Sequence, residues 1–112
     1  MPVKPEYYNQ ICCLSVNGDL AGTEVEALRK AAEEAIEQKR LTSFVVDLEK
    51  CTFVDSEGLA ALLWLKRRSE DLFGQLKLVH PDESVRKILE ITRLEHRFEC
   101  HDEMPAALRM MR

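Results

Sequence analysis

Phe44-Val45-Val46-Asp47-Leu48, then Cys51-Thr52-Phe53-Val54 and Asp55-Ser56-Glu57-Gly58-Leu59, reads as a strand running into a helix. The first five residues are short, almost continuously apolar and partly β-branched. That pattern suits a central strand covered on both faces. A helix then begins at Asp55 or Ser56 and runs to about Glu70, with Leu59, Leu62, Leu63 and Lys66 along one stripe, where the Lys66 stem can snorkel.

The same alternation repeats outward in both directions. Upstream, Ile11 to Val16 is an apolar strand closed by the turn Asn17-Gly18-Asp19. Tyr7 and Tyr8 suggest an earlier strand. Thr23-x-x-Glu26 reads as a capping box opening a helix whose apolar face is Val25, Leu28, Ala32, Ala35 and Ile36. Glu33, Glu34, Glu37, Lys30 and Lys39 form its solvent face. Downstream, Gly74 ends the second unit and Leu76-Lys77-Leu78-Val79 is a third clear strand. Pro81-Asp82 opens a helix carrying Val85, Ile88, Leu89 and Thr92 at helical spacing. Phe98-Glu99-Cys100 is a last strand, and Asp102-Glu103-Met104-Pro105 starts a short helix through Met111. Strands alternating with helices specify an α/β fold. The expectation is a mainly parallel sheet of about four or five strands, right-handed crossovers and about four helices.

Composition narrows the function classes. The chain has 112 residues, 46% hydrophobic and 32% charged, enough for one domain with one core. A formal net charge of -4 argues against a nucleic-acid partner. Lys66-Arg67-Arg68 is the one dense basic run and reads as the solvated end of a helix. No run approaches the roughly 18 apolar residues of a membrane span, and the N-terminus lacks an apolar signal region, so a cytoplasmic address without membrane insertion is expected. The four cysteines, Cys12, Cys13, Cys51 and Cys100, contain no C-x-x-C, and adjacent Cys12 and Cys13 point to opposite faces of a strand. Reduced, mostly buried thiols are expected.

Little in the chain supports catalysis. The glycines at 18, 22, 58 and 74 form no phosphate cradle. Ser56 lacks the flanking glycines of a nucleophile elbow. His96, Cys100 and His101 lack a fourth ligand at a recognised spacing, so neither a metal nor a cofactor is expected. The local feature with physical content is Asp55-Ser56-Glu57-Gly58. Asp55 or Ser56 can cap the helix, and Glu57 suits the positive end of its dipole. Gly58 costs about 1 kcal/mol against alanine inside a helix, so it marks either a close backbone approach or a helix start kept open to a partner. Plain capping and partner docking remain equal readings on these grounds.

Phe44-Val45-Val46-Asp47-Leu48 followed by Phe53-Val54-Asp55-Ser56-Glu57-Gly58-Leu59-Ala60 resembles the STAS domain of bacterial anti-sigma-factor antagonists, whose signature is V-x-D-L and then D-S-[ST]-G-L. Asn17-Gly18-Asp19-Leu20 sits at that family's Gly-Glu-Leu turn. The run from Val85 to Leu94, then Phe98, resembles its third helix and following strand, and Asp102 to Leu108 resembles its C-terminal helix. The resemblance implies a single STAS-like domain over residues 1–112, a monomer or weak dimer, with no catalytic role. It implies binding to an anti-sigma factor that is also a GHKL-type serine kinase, through Asp19, Asp55, Ser56, Glu57, Gly58 and Leu59. Binding frees the sigma factor, and phosphorylation of the loop breaks the complex.

The family's phosphorylated hydroxyl lies immediately before the motif glycine, where this chain has Glu57. Three readings follow: Glu57 imitates the phosphorylated state, Ser56 is the acceptor although a capping serine points inward, or the domain binds its partner constitutively. The last is preferred. The apolar run after Gly58 also resembles STAS accessory subunits of phospholipid-transport ABC systems, whose partner is an ATPase subunit. Trp64 and Ala60 lie off the leucine stripe beside Arg67, so Trp64 is read either as a partner contact or as the edge of the core.

Overall fold

The computed structural model describes residues 3–104. Its five strands are β1 (Val3–Tyr8), β2 (Ile11–Val16), β3 (Ser43–Asp47), β4 (Leu76–Val79) and β5 (Glu99–His101). They lie side by side in chain order, β1 antiparallel to β2 and the remaining pairs parallel. Three helices, α1 (Thr23–Lys39), α2 (Ser56–Asp71) and α3 (Glu83–Ile91), bridge successive parallel strands. Met104 is helical too; the rest of the expected C-terminal helix, residues 105–111, lies outside the described residues.

The strand order explains the layering. Each crossover moves one strand further in the same direction, so crossovers of one hand place α1, α2 and α3 on one face. The core agrees: Leu28, Ala32, Leu62, Leu65, Val85 and Leu89 from the helices pack on Cys12, Leu14, Phe44, Val46 and Leu78 from the sheet. On the other face Ile11, Cys13, Val45 and Val79 cluster with Met104. Cys12 and Cys13 thus take opposite faces, as their adjacency requires. All four thiols are free, and Cys100 alone is not fully buried.

β1 is firmer than Tyr7 and Tyr8 suggested. It pairs along its whole length from Val3↔Val16 to Tyr8↔Ile11. Asn9 and Gln10 close the hairpin with φ of 44° and 77°, the positive pair a two-residue turn of this twist needs. Asn-Gln lacks the glycine that usually flags such a turn. Pro5 is tolerated because β1 is an edge strand.

Two sequence expectations need correction. The capping box at Thr23 does not form. Gly22, at φ 58°, takes the cap position, and backbone carbonyls of Ala21 and Gly22 accept from Glu24 and Val25 at 3.2 Å each. Thr23 then falls inside the helix, where its hydroxyl bonds to Glu24 at 3.2 Å. The buried stripe of α2 is also rotated: it is Gly58, Leu59, Ala61, Leu62, Leu65 and Ser69, while Leu63 and Lys66 are only half-buried. Ser69 is tolerated inside because its hydroxyl donates to the Lys66 carbonyl at 2.9 Å.

A helix-start surface at the carboxyl end of the sheet

Parallel strands with returning helices bring every strand's carboxyl end and every helix's N-terminus to one rim. Here the loop after β2 and the loop after β3 meet and are zipped together. Gly18 N–H donates to Lys50 O at 3.1 Å, Leu20 N–H to Phe53 O at 2.9 Å, and Asp55 N–H to Leu20 O at 3.4 Å. Leu20 and Val54 form an isolated parallel bridge. Cys51 anchors the second loop from beneath, its buried thiol 3.4 Å from the Phe53 carbonyl. Burial pushes that thiol's pKa up, outweighing the backbone hydrogen bonds that lower it.

Asp55 is the cap of α2. Its backbone is extended, and its carboxylate accepts the Gly58 N–H at 2.8 Å. Its own carbonyl accepts from Leu59 N–H at 2.9 Å. Two consequences follow for the sites expected from sequence. Ser56 is not the cap but the first residue of the helix, and it is exposed, so the reason given for its being a poor acceptor is removed. Glu57, also exposed, follows in the same turn, where a carboxylate gains about 0.3–1 kcal/mol from the helix dipole.

Gly58 has a different job from the one a partner would give it. An added Cβ would lie 2.3 Å from the Leu20 carbonyl oxygen and 2.8 Å from Val54 Cγ1. The glycine exists so that the first turn of α2 can press on the loop after β2. Gly58 and Leu59 are both buried and stand behind the surface. Asp19 is exposed on the loop that Gly58 supports. The structure therefore brings Asp19, Asp55, Ser56 and Glu57 to one end of the molecule, on two loops locked to each other and the first turn of α2 that follows the second.

Phe53 was missed by sequence reasoning. It is 47% exposed in the same loop, two residues before the cap. The available signal was an aromatic residue standing between a strand and a helix, outside either hydrophobic period.

Trp64 lies seven residues beyond Glu57, about 10 Å along the helix axis. It is half-buried, packs against the core, and carries the Arg29 guanidinium 5.2 Å from its ring centre. That packing is the edge-of-core reading of Trp64.

The histidines do not converge on Cys100. His101 contacts Glu99 at 2.6 Å and His96 contacts Glu95 at 3.5 Å. His80 Nδ1 instead meets Asp47 at 3.0 Å, and with Glu49 these side chains place their ligand-type atoms within 4.8 Å of one another. Asp47 is already engaged there, accepting the Glu49 N–H at 3.0 Å as well.

Comparison with known proteins places this geometry. A family model described as the STAS domain matches residues 3–107. The chain belongs to the STAS domain family. Among STAS relatives, an anti-sigma F factor antagonist of Lysinibacillus sphaericus is 31% identical over 77 residues. That match covers 69% of this chain and 66% of the relative, just under two thirds of its length. An anti-sigma-factor antagonist (STAS) domain protein from Planctomyces limnophilus superposes with a TM-score of 0.82 at 21% identity, over 98% of this chain and 97% of that one. The Bacillus cell fate determinant SpoIIAA, in its phosphorylated form, gives 0.75 at 25% identity, over 96% and 97%. No helix among the described residues is long and apolar enough to cross a membrane.

Proposed function

We propose that this STAS domain is a non-enzymatic binding protein of the anti-sigma-factor-antagonist type, acting in the cytoplasm as one domain over residues 1–112. Its partner is an anti-sigma factor of the GHKL serine-kinase type, and capture of that factor frees the sigma factor. The docking surface is Asp19, Asp55, Ser56 and Glu57, with Phe53 as its apolar contact and Gly58 and Leu59 as its internal support. The observation that carries this reading is the exposed first turn of α2, held on zipped loops and capped by Asp55. A rigid surface loses little conformational entropy on docking.

Glu57 occupies the place of the switch hydroxyl, so the partner is bound constitutively. A carboxylate carries one charge where a phosphate brings about -1.5 to -2 with three acceptor oxygens. Glu57 therefore lacks the charge that would repel a partner from this surface. One observation favours a second reading, in which Ser56 is the acceptor: its side chain is exposed beside Glu57.

The test uses the intact protein as bait in a lysate of its own cells. The expected catch is a GHKL-type kinase, lost with Asp55→Arg. Recovery of an ABC ATPase instead would replace this reading by the transporter-accessory one. Incubation of the recovered kinase with ATP, read by intact mass, separates the constitutive reading from phosphorylation at Ser56.

A further inference from the structure

α2 presents a second stripe outside the core. Beginning at Ser56 and Glu57, the positions one helical turn apart on this side are Ala60, Leu63, Trp64, Arg67, Glu70 and Asp71. The stripe is the wall of a groove of about 460 Å³, closed on its far side by Arg97 from the segment between α3 and β5. Its lining begins at Ala60, one turn on from Ser56 and Glu57, and runs to Asp71, about 16 Å along the helix. A segment leaving the helix-start surface would pass directly into it.

The groove's charges are unequally used. Lys66 is paired with Glu70 at 2.8 Å, and neighbouring Arg68 with Glu33 at 3.4 Å. Arg67 and Arg97 are both exposed and have no ion pair among the described residues. Arg29 stands over the Trp64 ring rather than beside a carboxylate. Two unpaired guanidinium groups thus flank a half-buried tryptophan and an exposed alanine on a protein whose net charge is -4. With Glu70 paired to Lys66, the exposed Asp71 offsets one of the two guanidinium groups, so the groove keeps an excess of one positive charge on an acidic protein.

We propose that the Ala60–Trp64–Arg67–Arg97 groove is a second contact for the protein partner, taking an acidic segment that carries an apolar side chain. Arg67 and Arg97 each hold a carboxylate, and Ala60, Leu63 and Trp64 take the apolar side chain. Guanidinium groups suit carboxylates by their paired donors, and aromatic and arginine side chains are the usual anchors of an interface. Two linked contacts on one partner raise affinity through effective concentration. The inference extends the helix-start docking reading but rests on a different set of side chains.

Trp64 is the chain's one tryptophan, so its emission reports on the groove alone. The full chain is titrated with a synthetic 15-residue peptide rich in glutamate with leucine at every fourth position, and with the same peptide bearing lysine for glutamate. Emission should shift to the blue with the acidic peptide only. Arg67→Glu with Arg97→Glu should weaken that binding at least tenfold, and raising the salt should weaken it in the wild type. Asp55→Arg should leave peptide binding unchanged while abolishing capture of the kinase, so the two contacts fail separately. Three results would overturn the proposal: no emission change up to millimolar acidic peptide, equal binding of the lysine peptide, or unaltered binding by the double variant.

Discussion

Replacing Gly58 by alanine sets two forces against each other. Helix propensity favours alanine by about 1 kcal/mol. The new Cβ, however, would stand 2.3 Å from the Leu20 carbonyl oxygen, 2.8 Å from Val54 Cγ1 and 3.1 Å from Leu20 Cγ. The first of these is backbone, and it cannot swing aside. Leu20 is tied by its N–H to Phe53 O at 2.9 Å and by its O to Asp55 N–H at 3.4 Å. Relief requires the start of α2 or the loop after β2 to move, which breaks part of that zip. Overpacking of this kind costs about 1–3 kcal/mol, occasionally more. A backbone obstacle puts Gly58→Ala at or above the top of that range. After the propensity gain, the net loss is about 2 kcal/mol. For a chain of this size that is a fall in Tm on the order of 8 °C. Urea unfolding with an unchanged m-value measures it. Ala60→Gly, two residues on but exposed, is the control and should lose only about 1 kcal/mol. A glycine kept open for a partner would behave differently: Gly58→Ala would melt as late as the wild type, or later, and lose binding alone. That result would refute the packing argument.

Asp55→Ala removes the cap that accepts the Gly58 N–H at 2.8 Å and should lower stability by about 1 kcal/mol in urea melts. Burial raises the Cys12 thiol to about 12 and the Cys13 thiol to about 11, so at pH 8 a disulfide reagent should leave both unlabelled in the native protein and reach them in urea. Glu99 is held below its ordinary 4.5 chiefly by the hydrogen bond from His101, then by Lys77, whose own side chain is 1% exposed at 3.0 Å. A depressed carboxylate stabilises the fold above its unfolded pKa and loses that contribution as pH falls through the folded value. Glu99→Gln should therefore destabilise the protein at pH 7 and flatten the loss of stability below about pH 4.5 in a pH series of urea melts.

The order and type of the elements were legible because the strands stood out as short apolar runs and the helices by their 3.6-residue spacing. β3 announced itself as an apolar run, α2 by its leucines, and α3 by Val85 and Leu89 after the Pro81-Asp82 start. Capping was less legible. Thr23 and Glu26 have the right spacing, but Gly22 reached the cap position first, using a backbone conformation open to it alone. The rotation of α2 was misread for a tertiary reason. Leucine spacing alone cannot say that Gly58 must face Leu20, and that contact turns Ala61, Leu65 and Ser69 inward. At the site, the sequence left Asp55 or Ser56 as the cap and Gly58 as either a close backbone approach or an open helix start; the structure makes Asp55 the cap and Gly58 the close approach. Gly58 and Leu59 are support, Ser56 is exposed and no cap, and Phe53 joins the surface. Only the meeting of two distant loops separates those roles.

The helix-start surface is proposed to capture a GHKL-type anti-sigma factor and to hold it whether or not ATP is present. The direct measurement is the affinity of the purified pair before and after incubation with ATP, with intact mass taken on the same samples. Constitutive capture gives an unchanged dissociation constant, no added phosphate, and at least a hundredfold loss of affinity with Asp55→Arg; Glu57→Ser should then gain one phosphate and release its partner. A phosphate mapped to Ser56 of the unaltered chain, with loss of the complex, would contradict it, as would a complex that survives Asp55→Arg.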